Sequence, residues 1–129
     1  MKLLLDTHTL VWSMNQTSEL SQKAREAIES YENEIQVSVV TVWEAATKFR
    51  LGKFPEAGAF VGDPRGVLAR FGFSSLSLKL EHALLSGTFP HPHRDPFDRM
   101  LVAQALIEKL TLVSADTILD QYGVSRRWK

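Results

Sequence analysis

Four acidic residues far apart in the chain stand where a short apolar run gives way to a polar, helix-starting segment. They are Asp6 after KLLL, Glu44 after IQVSVV, Asp98 within HRDPFDR and Asp116 after LTLVS. Carboxylates gathered in one place are chemically demanding. Two of them about 4 Å apart repel by roughly 4 kcal/mol at an effective dielectric of 20, so a cluster must take up protons or cations. Hard oxygen ligands with no cysteine beside them favour Mg²⁺ or Mn²⁺ over Zn²⁺. A divalent ion on a few carboxylates can acidify a water for attack on phosphorus, and a second can hold the leaving oxygen. The chemistry implied by Asp6, Glu44, Asp98 and Asp116 together is metal-assisted phosphodiester hydrolysis.

Each acid also has a local reading. Asp95 sits where a helix N-cap belongs, with Pro96 at the first helical position and Asp98 in the first turn as a partner of the helix dipole. Glu44 fits the last position of a capping box that begins at Thr41, and Asp116 fits an N-cap. Asp6 has no capping-box partner, because Thr9 is not acidic. His91 and His93 with Asp95 offer a Zn²⁺ alternative, but alternate residues in a Pro-rich loop lack a further ligand. Lys48, Arg50 and Lys53 cluster at the end of the segment carrying Glu44, and Arg94 and Arg99 flank the acids of HRDPFDR. These cations could hold a phosphate backbone, with a solvated helix face the competing reading for Lys48 and Lys53. Trp43 and Phe49 are expected in a core or an interface.

The acids converge only if the secondary structure brings them together. Lys2–Leu5 reads as a strand covered on both faces, since it is apolar without alternation. Thr7–Met14 reads as a short helix or turn, and Ser21–Glu32 as an amphipathic helix with Ala24, Ala27, Ile28 and Tyr31 on its buried face. Ile35–Val40 is a β-branched strand, and the helix opened by Thr41 closes at Gly52. Phe54–Gly66 reads as a loop with at most a helical turn, and Val67–Phe71 as a short helix. Phe73–Leu78 then alternates as a strand, and Lys79–Ser86 is a helix ended by Gly87 and Pro90. A long buried helix runs from Pro96 to about Lys109, Leu110–Ser114 is another strand, Thr117–Gln121 is a helical turn closed by Gly123, and VSRRWK is an edge strand or a mobile tail. Strand and helix in alternation are the signature of a parallel α/β sheet. Ligands of such sheets bind beyond the carboxyl ends of the strands, where the four acids fall.

A length of 129 residues fits one domain spanning 1–129, which would bury roughly two-thirds of its unfolded surface. Lys and Arg together number 15, as do Asp and Glu, so net charge selects no class of partner and local arrangement must decide. The absence of cysteine excludes disulfides and thiolate zinc sites and agrees with a reducing compartment. Asp6 and His8 interrupt the first apolar run before it could act as a secretory signal, and no segment nears the ~20 apolar residues of a membrane span. A cytoplasmic location is expected.

LLLDTHTLVW, VSVVTVWEAATKFRLGK, HRDPFDRMLVAQA and LVSAD, in this order and spacing, resemble the PIN-domain family, and specifically the VapC-type toxins of bacterial toxin–antitoxin pairs. The resemblance spans nearly the whole chain. It implies a PIN-like three-layer α/β/α fold with a central parallel sheet, and a Mg²⁺- or Mn²⁺-dependent endoribonuclease that forms a homodimer. It also implies inhibition by a cognate VapB-type antitoxin that inserts a peptide into the active-site groove. By position, Asp6 and Asp98 match the family's principal metal-ligating acids, and Glu44 and Asp116 match the other two of its acidic quartet. Pro55–Gly66 matches nothing specific. A haloacid-type phosphatase would need an acid where this chain has His8, a receiver domain would need an acidic pair at the first strand, and a Rossmann module would need a Gly-rich turn. The remaining alternative is a catalytically inactive domain of the same fold that binds nucleic acid or a partner.

Overall fold

A computed structural model describes residues 1–91 and 95–129. Leu3, Leu4 and Leu5 of strand β1 (Lys2–Leu5) have no exposed surface, because β1 is the middle strand of five and is paired on both edges. An unalternating apolar run is what that position requires, and burying each leucine stabilises by about 1.5–3 kcal/mol. The other strands are β2 (Glu34–Ser38), β3 (Ser74–Leu76), β4 (Thr111–Val113) and β5 (Arg126–Arg127). Their spatial order is β3-β2-β1-β4-β5, and every pairing is parallel. The tail is therefore an edge strand.

Helices α1 (Thr7–Asn15), α2 (Gln22–Glu29), α3 (Val39–Arg50), α4 (Gly58–Gly62), α5 (Pro64–Phe71), α6 (Leu80–Thr88) and α7 (Pro96–Glu108) make the crossovers. One core unites Leu3 and Leu5 with Leu10 of α1, Ala24 and Ile28 of α2, and Phe60 of α4. The second unites Leu4 and Leu112 with Val40 of α3 and Leu101, Val102 and Ala105 of α7. Alternate residues of β1 thus serve opposite faces of a central parallel sheet flanked by helices.

Several boundaries differ from those expected. The sheet hands over to α3 at Ser38, whose hydroxyl caps the helix by accepting from the Val40 N–H at 3.0 Å. Thr41 is therefore inside the helix and not its cap, and Thr41–Glu44 is no capping box; packing of Val40 in the second core overrides the strand preference of Val39 and Val40. Tyr31 lies beyond the end of α2 and is fully exposed, not on its buried face. Phe54–Gly66 is largely helical, since Ala57 and Phe60 are buried and Asp63 caps α5 from the Gly66 N–H at 3.0 Å. α6 runs through Gly87 and stops at Thr88.

Two buried polar links hold α7, the carrier of Asp98. Gln104 is fully buried. It accepts from the Ser38 hydroxyl at 2.6 Å and donates to the Ser77 carbonyl at 3.2 Å, which ties α7 to the start of α3. His82 of α6, also fully buried, accepts the Lys79 N–H at Nδ1 (3.0 Å) and so carries its proton on Nε2, which donates to Glu108 at 2.8 Å. This hydrogen bond, opposed by desolvation and helped by Lys79, holds the Glu108 carboxyl below its ordinary value of 4.5. A depressed acid stabilises the fold above its unfolded pKa and loses that contribution as pH falls through its folded one. We expect Glu108→Gln to cost about 1–2 kcal/mol at neutral pH. The gap from wild type should close in thermal melts as pH falls below 4.5. A gap undiminished at about pH 3 would assign the effect to packing instead.

Candidate functional site

The strand order reverses between β1 and β4: the chain moves outward from β1 to β2 and β3, then returns to β1's other edge with β4. This is the switch point at which parallel sheets open a crevice. The Asp6 N–H donates to the Val113 carbonyl at 3.2 Å, which extends the β1–β4 ladder by one residue and sets Asp6 at the crevice. Asp6 is also the N-cap of α1, accepting the Thr9 N–H at 2.8 Å. The lack of an acid at position 9 does not prevent this, because a cap needs only a side-chain oxygen and the backbone N–H of the third helical residue. Burial pushes the Asp6 carboxyl above its ordinary range, opposed by hydrogen bonds from Ser114 and Thr9 and by the charge of His8.

Glu44 projects from the second turn of α3 and is 3% exposed. Its Oε1 accepts from the Thr7 hydroxyl at 2.5 Å, Thr7 itself lies 3.3 Å from the Thr41 hydroxyl, and Oε2 is ion-paired with Lys48. Burial works against the Lys48 charge, but the Glu44 hydrogen bond and the fields of Glu44, Asp95 and Asp98 outweigh it and raise the Lys48 pKa. The ammonium is also 5.8 Å from the centre of the Phe97 ring. Asp95 is the cap of α7 as expected, accepting from Phe97 N–H at 2.9 Å and Asp98 N–H at 3.2 Å. Asp98 is half-buried in the first turn, where the helix dipole favours its ionised form. Asp116 is exposed and caps the 3-10 turn Thr117–Tyr122, accepting from Ile118 N–H at 3.1 Å.

Asp6, Glu44, Asp95, Asp98 and Asp116 line one cavity of about 350 Å³, with Lys48, His8, Trp12 and Ala115 completing its wall. The four acids expected to converge therefore share a wall, and Asp95 joins them. Among the described residues, no three His, Asp or Glu side chains are close enough as they stand to enclose an ion. A larger cavity of about 590 Å³, near the amino end of β2, is lined by Arg25, Asn33 and apolar groups with Glu29 as its single acid, and so gathers no cluster of carboxylates.

Thr7, Ser114 and Lys48 contribute in ways not expected from the sequence. Ser114 is fully buried and bridges two of the acids: its hydroxyl bonds Asp6 and accepts the Asp116 N–H at 3.1 Å. The signal available was a hydroxyl beside each acid at a strand end, at Thr7 and Ser114. Of the cations considered for phosphate, Lys48 faces the cavity while Arg50 and Lys53 are exposed outside its lining. Arg99 has a structural use. Its guanidinium donates to the carbonyls of Ser86 (3.0 Å), Phe89 (2.8 Å) and His91 (3.0 Å), clamping the end of α6 and the chain beyond it against α7. His91 packs on Tyr122 at 4.3 Å between ring centres, and His93 and Arg94 lie outside the described residues. Trp43 is 57% exposed and meets Phe97 edge-on at 4.8 Å. Because one ammonium cannot reach three divergent carbonyls, Arg99→Lys should lower stability by about 1–3 kcal/mol in urea unfolding; an unchanged midpoint would return Arg99 to the role of a phosphate contact.

The sequence profile of the PIN domain matches residues 3–124. No curated protein matches the chain by sequence. Among solved structures, VapBC2 from Rickettsia felis bound to a DNA fragment from its promoter has a chain 15% identical, with a TM-score of 0.72 and 100% of each chain covered. FitAcB from Neisseria gonorrhoeae is 19% identical, with a TM-score of 0.67 and coverage of 96% of this chain and 95% of that one. A toxin–antitoxin complex from Klebsiella pneumoniae is 20% identical, with a TM-score of 0.63 and coverage of 89% and 87%. At these identities the likeness is one of fold.

Proposed function

The chain belongs to the PIN-domain family, and from that premise we propose that it is a Mg²⁺- or Mn²⁺-dependent endoribonuclease, the toxin of a toxin–antitoxin pair. PIN domains are nucleases that generally use a divalent metal. One observation carries the reading for this chain: Asp6, Glu44, Asp98 and Asp116, from four separate segments, line a single cavity at the switch point of the sheet. An all-carboxylate donor set beside a single lysine fits a hard divalent cation, which would relieve the repulsion among the acids. Asp6 and Asp98 are the principal ligands in this reading, with Glu44 and Asp116 completing the set. When bound, the metal supplies an acidified water for attack on phosphorus and positive charge for the leaving oxygen.

The protein's own part is to hold these groups in place. Thr7 fixes Glu44, Ser114 fixes Asp6 against the backbone of Asp116, and the first turn of α7 holds Asp98 at the cavity. His8 and Trp12 on the cavity wall offer a phosphate and a base something to meet. RNA as the substrate rests on the resemblance to VapC-type ribonucleases. The toxin–antitoxin complexes among the structural neighbours support a VapB-type antitoxin as partner. The homodimer rests on the same resemblance. Among the described residues no helix is long and apolar enough to cross a membrane, and a cytoplasmic location belongs to the same proposal.

The test is cleavage of single-stranded RNA by purified protein, followed on a gel. Asp6→Asn and Asp98→Asn should each reduce the rate at least about 100-fold, with the fold preserved because asparagine can still cap α1 at position 6 and the cap of α7 is Asp95, not Asp98. EDTA should silence the wild type, and added Mg²⁺ or Mn²⁺ should restore it. Cleavage undiminished in EDTA would overturn the metal reading; a wild type inert with either ion on every RNA tried would favour an inactive binding domain.

A further inference from the structure

The ion pair between Lys48 and Glu44 has an asymmetry that bears on how the cavity receives a cation. Glu44 is the more enclosed member: it is 3% exposed, and Thr7, itself 2% exposed, holds its Oε1 at 2.5 Å. The Lys48 side chain is 30% exposed and leaves the helix toward the cavity. If the pair opens, the lysine is the member that moves. Its ammonium sits on Oε2, the Glu44 oxygen that Thr7 leaves to the cavity, and faces Asp95, Asp98 and the Phe97 ring. An ammonium and a divalent ion cannot both contact that oxygen without lying within a few Å of each other, where like charges repel strongly.

We propose that Lys48 is the resident cation of the acidic cavity and competes with the divalent metal for Glu44, so that metal entry displaces its ammonium toward the cavity mouth. The proposal rests on the metal reading above and adds to it what sets the affinity. With no divalent ion present, Lys48 offsets part of the repulsion among the carboxylates. In exchange it weakens metal binding, because the ion must replace a charge and not fill a vacancy. Lys48 acts here through Glu44 and is an affinity-setting, positioning residue.

Titration of Mn²⁺ into metal-stripped protein, read by calorimetry, tests this without reference to catalysis. Lys48→Met, which keeps the apolar stem and removes the charge, should bind Mn²⁺ at least about tenfold tighter than wild type, while Lys48→Arg should stay within about threefold. Metal-stripped Lys48→Met should also melt below wild type and gain more on addition of Mn²⁺. An affinity for Mn²⁺ in Lys48→Met equal to or weaker than that of wild type would overturn the proposal. Should that variant fail to fold, ¹⁵Nζ spectra of the wild type, with Lys48 assigned by its loss in Lys48→Arg, give the same decision. The Lys48 signal should move toward those of exposed lysines as Mg²⁺ is added, and a stationary signal would refute displacement. If the wild type takes up no Mn²⁺, the metal reading itself falls, and the proposal with it; if the wild type binds and Lys48→Met is no tighter, only the role of Lys48 falls.

Discussion

Repulsion among five carboxylates is the constraint that the architecture of this protein has to satisfy. Asp6, Glu44, Asp95, Asp98 and Asp116 share a cavity of about 350 Å³, and a group of acids left to itself would turn outward to water or protonate. The surrounding structure opposes both outcomes with specific donors. Thr7 and Lys48 serve Glu44, Ser114 and the Thr9 N–H serve Asp6, two backbone N–H groups at the start of α7 serve Asp95, and the Ile118 N–H serves Asp116. Three of the acids are N-caps, so hydrogen bonds that the helices require anyway also hold carboxylates at the carboxyl edge of the sheet.

Capping and site-building are therefore the same act in this fold. A parallel sheet sends every strand into a helix at one edge, and each helix start offers unpaired N–H groups and a positive dipole end. Acids placed there are stabilised one at a time. The order β3-β2-β1-β4-β5 then brings the starts of α1 and the turn after β4 side by side, while Gln104 ties α7 to the Ser38 cap of α3. Local capping chemistry and global topology meet at one cavity.

Much of this was legible in the sequence, and for physical reasons. KLLL announces a central strand because both of its faces are covered, and DPFD followed by an apolar body announces α7 because cap, proline and first-turn acid occupy their required positions. Misreadings arose where tertiary packing outvoted local preference. Val39 and Val40 favour strand but open α3, and the Gly- and Pro-containing stretch after Phe54 folds into helical turns because Ala57 and Phe60 have a core to enter. Thr7 and Ser114 were passed over because a hydroxyl announces nothing until its neighbours are known. For Arg99 a cation next to acids suggests ligand binding in the sequence, and only the fold shows that it satisfies carbonyls left by a helix end.

The position of β1 also governs when the site can exist. β1 pairs on one edge with β2, where Leu3 meets Ile35, and on the other with β4, where Leu3 meets Thr111. The first of these pairings closes a short stretch of chain; the second must wait for almost everything between the two strands. Asp6 and Asp116 face each other across that late contact. A ribosome making this chain therefore carries an incomplete acid set until synthesis has passed residue 116.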